Sequence, residues 1–151
     1  MKLSNKGRYG VRAIFDIAFH SHGEATQIKE ISERQAIPPR FLEQIFQDLK
    51  RAGIVNSKRG PRGGYALAKA PDEITLGDVI RALEGDIIIG ETEEDAVDEH
   101  APSRAVTQSV FEELSEKITA CFDAITFEDL CARGEEQGVR RRPPRRYVYS
   151  I

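Results

Sequence analysis

The sequence predicts a mainly α-helical fold with one small β hairpin and one long helix, and three observations lead there. Apolar residues recur at helical spacing three times between residues 8 and 53; a cationic, glycine-rich segment, residues 57–65, separates two short apolar runs; and an apolar stripe returns in residues 103–125. Spacing of i, i+3, i+4, i+7 puts side chains on one face of a helix, whereas short apolar runs flanking turn residues indicate paired strands.

The first helix covers Arg8 to His20, with Val11, Ile14, Phe15 and Ala18 on its apolar face, and ends near Gly23. Thr26 is the expected N-cap of a second, short helix that turns Ile28 and Ile31 inward and Glu30, Glu33 and Arg34 outward before stopping at Pro38-Pro39. The third starts at Pro39, repeats Leu42, Ile45, Phe46 and Leu49 on one face, and ends at Gly53. Ile54-Val55 and Tyr65-Ala66-Leu67-Ala68 are then short strands, joined by a loop in which Lys58, Arg59 and Arg62 stand among Gly60, Pro61, Gly63 and Gly64. Glycine-rich loops also cradle nucleotides, but in a phosphate loop a helix opening with Lys and Ser/Thr follows, and none follows here.

Past Pro71, Thr75 and Asp78 have the spacing of a capping box for a fourth helix through Val79, Ile80 and Leu83, closed by Gly85. Residues 90–102 are polar and acidic and are expected as a surface loop. The long helix follows, with Val110, Phe111, Leu114, Ile118, Cys121, Phe122 and Ile125 as its apolar stripe. Because residues 126–136 offer only Phe127 and Leu130 to cover that stripe, a second copy of the chain is its expected partner, with packing on the first and fourth helices as the alternative for part of it. The chain thus divides into a three-helix unit with hairpin at 1–84, an acidic loop at 85–104, the long helix with a short closing helix at 105–136, and a basic tail at 137–151.

Composition narrows the function classes. With 151 residues, 40% hydrophobic and 31% charged, the chain can bury one modest core with an appended arm. No apolar run approaches the roughly 18 residues of a membrane helix, and the leading segment Met1-Lys2-Leu3-Ser4-Asn5-Lys6 has no signal-peptide core, so a cytoplasmic protein is expected. Two cysteines, Cys121 and Cys131, fit a reducing compartment in which neither is a staple. The net charge of −3 hides an asymmetry: residues 1–70 hold thirteen Lys/Arg against six Asp/Glu, while residues 137–151 carry five arginines and no acid. A basic front half suits a polyanion binder, because phosphates neutralised by cations release counterions; a merely solvated face is the plainer alternative.

The order helix, helix, turn, helix, two-stranded hairpin is that of a winged helix-turn-helix, a fold whose third helix enters the major groove of duplex DNA. Here the polar face of that helix is Arg40, Glu43, Gln44, Gln47, Lys50 and Arg51. Arginine pairs with guanine, glutamine with adenine, and a carboxylate accepts from a cytosine amino group. Glu43 would repel phosphates, so base reading or rejection of wrong bases explains it better than backbone positioning; pairing with Gln47 or Lys50 along the helix is the alternative. Lys2, Lys6, Arg8 and Tyr9 in the leading segment, Pro39 at the helix start, and Lys58, Arg59, Arg62, Gly63 and Tyr65 in the wing complete the candidate contacts to promoter DNA. The prolines in Arg140-Arg141-Arg142-Pro143-Pro144-Arg145-Arg146 exclude a helix interior; this tail is open to DNA phosphates, to the acidic segment of a dimer, or to no role.

Residues 1–85 resemble the family of bacterial regulators that includes IscR, NsrR and CymR. The resemblance lies in Lys6-Gly7-Arg8-Tyr9, Ile31-Ser32-Glu33-Arg34-Gln35, Phe41-Leu42-Glu43-Gln44-Ile45 and Arg59-Gly60-Pro61-Arg62-Gly63-Gly64-Tyr65. It continues more weakly through the long helix to Ile125-Thr126-Phe127-Glu128-Asp129-Leu130. It implies a winged-helix dimer crossed through its long helices and binding promoter DNA as a repressor or dual regulator, with Glu43 discriminating bases, Arg59 in the minor groove and Tyr9 at the backbone.

One departure matters. Many members of that family hold an iron–sulfur cluster on three cysteines before the long helix, yet this chain has no cysteine between Leu83 and Phe111. Clusters need thiolates, with imidazole or carboxylate at a minority of positions, so His100 and the loop acids do not make a set and no cluster or metal is expected. The signal would then come from a partner protein or a small-molecule effector. Two other classes are a protein-interaction module using the acidic segment or tail, and a thiol redox sensor, for which Cys131 beside Arg133 is the better candidate and Cys121 reads as a buried structural thiol. An enzyme is not expected: His20, His22 and His100 have no nearby nucleophile or metal-spaced partner, and His20 and His22 read as solvent-facing.

Overall fold

The structure is a computed structural model, which describes residues 2–90 and 102–145. Its elements are α1 (Asn5–His20), α2 (Ile28–Gln35), α3 (Pro39–Arg51), β1 (Val55–Lys58), β2 (Gly64–Leu67), a one-turn 3-10 helix (Pro71–Glu73), α4 (Leu76–Glu84), α5 (Pro102–Asp123) and α6 (Phe127–Glu136). The mainly α fold with a small β wing is as the sequence predicts. The expected acidic loop falls largely on residues 91–101, and with His100 lies outside the described residues, as does the tail beyond Arg145.

α1 is the axle of the core, packed against α2, α3, α4, α6 and β2. Ser4 caps it, its hydroxyl accepting from the Gly7 amide at 3.1 Å. The buried line runs through Gly10, Ala13, Ile14 and Ile17, so of the four residues expected on the apolar face only Ile14 is central, while Val11, Phe15 and Ala18 flank it half-buried. The shift has a packing cause: a Cβ on Gly10 would stand 2.1 Å from Leu83 Cδ1, so the missing side chain is the slot into which α4 fits.

Two sequence expectations for α2 need correction. Thr26 is not the cap; Gln27 occupies that position, its amide donating to Glu30 Oε2 at 3.3 Å, and Thr26 is committed to the wing. Nor do Glu30 and Arg34 simply face water. Arg34 reaches the fully buried Asp16 of α1 in a bidentate pair, Nε to Oδ2 at 2.9 Å and Nη2 to Oδ1 at 2.7 Å, and Gln35 Nε2 adds a third bond at 3.0 Å. The carboxylate in turn raises the Arg34 guanidinium above its ordinary value, against the opposing effect of burial. α3 follows the expected pattern, with Leu42, Ile45, Phe46 and Leu49 buried and Gly53 at a positive φ of 76° just past its end.

The strands pair antiparallel, Val55 with Leu67 through to Lys58 with Gly64, so β1 runs past the predicted Ile54-Val55 into the cationic segment. α4 starts on the expected box: the Thr75 amide donates to Asp78 Oδ2 at 3.0 Å and the Asp78 amide to Thr75 Oγ1 at 3.1 Å. α6 starts on a second such box, Thr126 with Asp129. The segments before these helices pair, the Leu76 amide donating to the Ile125 carbonyl at 2.9 Å and the Phe127 amide to the Ile74 carbonyl at 3.0 Å. Ile125 therefore lies beyond the end of α5, not on its stripe. Phe127 is fully buried in the main core and α6 packs on α1, with Gly134 against the Phe15 and Phe19 rings, so α6 does not serve as the cover expected for α5.

The described part of the tail folds back over the end of α1. Arg141 sits 4.6 Å from the Phe19 ring centroid and donates twice to Glu135 Oε1, at 2.8 and 2.6 Å. Arg142 and Arg145 both pair with Glu30 of α2, the latter at 2.7 Å. The Arg142 amide donates to His20 Nδ1 at 3.0 Å, and His22 Nε2 meets the Arg142 carbonyl. The histidines expected to face solvent are thus joined to the tail. Partial burial, together with Arg34, Arg141 and Arg142, pushes the His20 pKa down against the pull of Asp16. For Glu30, partial burial works to raise the carboxyl, but hydrogen bonds from Arg142, Arg145 and the Gln27 amide outweigh it and hold it at about 2.

Two outcomes follow from these contacts. Arg34→Ala strands a buried carboxylate, and urea denaturation should show a loss of about 3–5 kcal/mol. A carboxyl depressed from an ordinary 4.5 to about 2 stabilises the folded chain fully above the higher value, and that contribution disappears as pH falls through the lower one. The stability difference between wild type and Glu30→Gln should therefore be flat near neutrality and shrink on acidification across that window, as followed by thermal melts at a series of pH values.

Candidate nucleic-acid interface

Four buried apolar side chains anchor α3 to the core, and the opposite face is open. Arg40, Glu43, Gln44, Gln47, Lys50 and Arg51 are all exposed, which is the polar face the helical spacing predicts. Among the described residues Glu43 takes part in no ion pair, so the alternative of a partner at Lys50 is not what the structure presents. Asp48, at the border of this face, holds Lys6 at 2.5 Å and Arg51 at 3.4 Å. The first of these pairs ties the start of α1 to α3.

The wing is fastened to the opposite flank of α3. The Tyr65 ring stacks on Phe46 with centroids 4.5 Å apart and planes inclined by 14°. Its backbone forms a two-bond bridge with Thr26, each amide donating to the other residue's carbonyl at 2.8 Å. Thr26 thereby extends the hairpin by one backbone position and links it to the segment entering α2. Gly64 makes this approach feasible: it has φ of 141°, and a Cβ there would lie 2.2 Å from the Thr26 carbonyl oxygen. The loop closes through the Gly63 amide donating to the Gly60 carbonyl at 2.9 Å, leaving Lys58, Arg59 and Arg62 at its exposed rim. Of the wing candidates, then, Lys58, Arg59 and Arg62 are on the surface, whereas Gly63 is buried and Tyr65 is half-buried scaffold.

Lys2 and Arg8 are exposed near the start of α1, Arg8 bonded to Asn5 Oδ1. Tyr9 meets Phe41 edge-on at 6.2 Å, Arg12 lies over the Tyr9 ring at 5.5 Å, and Arg40 lies over the Phe41 ring at 5.8 Å. This row joins α1 to the first turn of α3. Sequence reading passed over Arg12 and Phe41 as contact candidates, because Phe41 sits beside the apolar anchors in an apolar-looking segment and only its 47% exposure separates it from them.

The second surface is α5, in which no residue is buried. Val110, Phe111 and Leu114 are 50%, 39% and 41% exposed, Val106 extends the strip at 67%, and Ile118 and Phe122 are half-buried. Its far end is fixed to α4 by Arg81, which donates to Asp123 at 2.7 Å. The cysteines exchange their expected roles: Cys121 is exposed in the single chain, and Cys131 is 2% exposed, with burial pushing its thiol up and away from the thiolate a redox sensor needs.

Comparison with known proteins gives consistent results. Residues 3–133 match the family Rrf2, described as "Iron-dependent Transcriptional regulator". The HTH-type transcriptional regulator IscR of Aliivibrio salmonicida is 38% identical over 148 residues, spanning 94% of this chain and 84% of that protein. Among solved structures, IscR of T. potens is 38% identical with a TM-score of 0.74, covering 93% of both chains. CymR, the global cysteine regulator of B. subtilis, is 34% identical with a TM-score of 0.73, covering 88% of this chain and 98% of that one.

The word "iron" in that description can be tested on the donors present. Iron–sulfur clusters are held by sets of thiolates. The whole sequence contains two cysteines, one exposed on α5 and one buried in α6 with its thiol favoured, and among the described residues no group of three His, Cys, Asp or Glu is placed to hold a metal ion. These residues do not fit a thiolate-held cluster.

The Gly64 contact predicts its own test. Gly64→Ala should release the wing from Thr26, seen as faster hydrogen exchange at the Thr26 and Tyr65 amides, while the amides of α4 and α6 keep their protection.

Proposed function

The chain belongs to the Rrf2 family of transcriptional regulators, and from that membership we propose that it represses transcription as a homodimer that reads a two-fold symmetric operator without a loop-bound iron–sulfur cluster. The observation that carries the reading is the open polar face of α3, rigidly flanked by a wing whose rim holds Lys58, Arg59 and Arg62. Such a pairing divides the work: cations on the wing and at the start of α1 neutralise phosphates at any sequence, and Arg40, Glu43, Gln44 and Gln47 meet base edges in the major groove.

Homodimerisation is supported by the exposed strip Val106, Val110, Phe111 and Leu114, since a contiguous apolar face on a long helix calls for cover and a symmetric partner supplies it. Two copies would present two α3 helices to successive major grooves. The mismatch between the two cysteines and a cluster supports a signal delivered by a partner protein or a small molecule.

Selection from random duplex DNA tests this reading directly. The purified protein should enrich a two-fold symmetric motif; enrichment of an asymmetric site or of nothing would contradict it. On the selected operator, Arg59→Ala should weaken binding to all sequences and reduce the slope of log affinity against log salt by about one. Glu43→Ala should instead cost about 1–3 kcal/mol of discrimination between operator and single-base variants, with a smaller loss of overall affinity.

A further inference from the structure

Phe41 has no role in the core. Leu42, Ile45, Phe46 and Leu49 fill the contact between α3 and the rest of the domain, while the Phe41 ring stays 47% exposed in the first turn of the helix. A single exposed apolar side chain is ordinary on a protein surface. This one is held on two sides: Tyr9 of α1 meets its ring edge-on at 6.2 Å, Arg40 lies 5.8 Å from its centroid, and Arg12 steadies Tyr9 from beyond at 5.5 Å. The ring is thus presented in a fixed position beside Gln44, its neighbour one turn along α3.

The major groove shows hydrogen-bonding groups at every base pair but only one apolar group, the C5-methyl of thymine, which 5-methylcytosine shares. A preorganised aromatic ring among polar base-reading candidates has that group as its natural complement: contact with a methyl removes apolar surface on both sides from water, whereas the unmethylated C5 position leaves the ring partly hydrated. We propose that Phe41 is a specificity-determining residue that reads a pyrimidine C5-methyl, that of thymine, in each half-site. The assignment rests on the reading of α3 as the DNA-contacting helix and adds a base preference that its polar residues do not supply.

Deoxyuridine differs from thymidine only by that methyl. Each thymine of the selected operator is replaced in turn by deoxyuridine, symmetrically in both half-sites, and binding is measured by fluorescence anisotropy for wild type, Phe41→Ala and Phe41→Gln. Wild type should lose about fourfold per half-site at one thymine position, the worth of one buried methyl. Both variants should bind the thymine and deoxyuridine operators equally, while retaining the wild-type salt dependence on unrelated DNA. Phe41→Gln keeps the bulk of the ring's position, so a fold defect confined to the alanine variant leaves the test intact. Indifference of wild type to every replacement, or sensitivity that persists in both variants, would overturn the assignment. Either result would leave operator binding itself, established by the selection, standing.

Discussion

Asp16 carries a charge in the interior, and the arrangement of the first two helices depends on how that charge is met. An isolated buried carboxylate is costly, so the only tolerable geometry is one that brings cations and amide donors to both of its oxygens. Arg34 and Gln35 do so from the last turn of α2, which sets the rotation of that helix about its axis. With α2 fixed, the short left-handed turn at Ala36 and the two prolines direct the chain into α3 at a defined angle. The polar face of α3 is therefore aimed by an ion pair that lies outside it.

The wing depends on the same chain of constraints from the other side. A two-stranded hairpin of four-residue strands is marginal alone. Here it gains a third backbone partner at Thr26 and an aromatic stack on Phe46, so it is attached both to the entrance of α2 and to the flank of α3. Wing and third helix then move as one body. Their separation is held by hydrogen bonds and a stacked ring, in place of a flexible loop, and the cations at the rim keep a constant offset from the groove-facing side chains.

Much of this was legible in the residues. Helical spacing, proline and glycine at element ends, and the capping boxes are local signals, and they located α3, the hairpin and α4 well. The failures share a cause, which is contact between segments distant in sequence. The centre of α1 could not be found from apolar spacing, because Gly10 and Ala13 are buried for what they lack in size. Thr26 looks like a cap until Tyr65 is seen opposite it, Arg34 looks solvated until Asp16 is seen beneath it, and the tail arginines have their partner, Glu30, more than a hundred residues away. The cysteines were misassigned for the same reason: Cys121 follows the spacing of the α5 stripe, whereas Cys131 is covered because α6 returns to α1.

That return of α6 has a consequence for the order in which the molecule can be made. Phe127 lies in the same cluster as Ile14 and Leu49, and Gly134 supports the rings of Phe15 and Phe19, so the core opened by the first helix is closed by the last. A chain emerging from the ribosome can form α1 to α4 early, but until residues past 127 are free the aromatic side of α1 is without its cover. The intervening long helix, with its own exposed apolar strip, is synthesised during that interval. Completion of the fold thus waits for the end of translation, and the interval before it is when unshielded apolar surface on α1 and α5 coexists on the nascent chain.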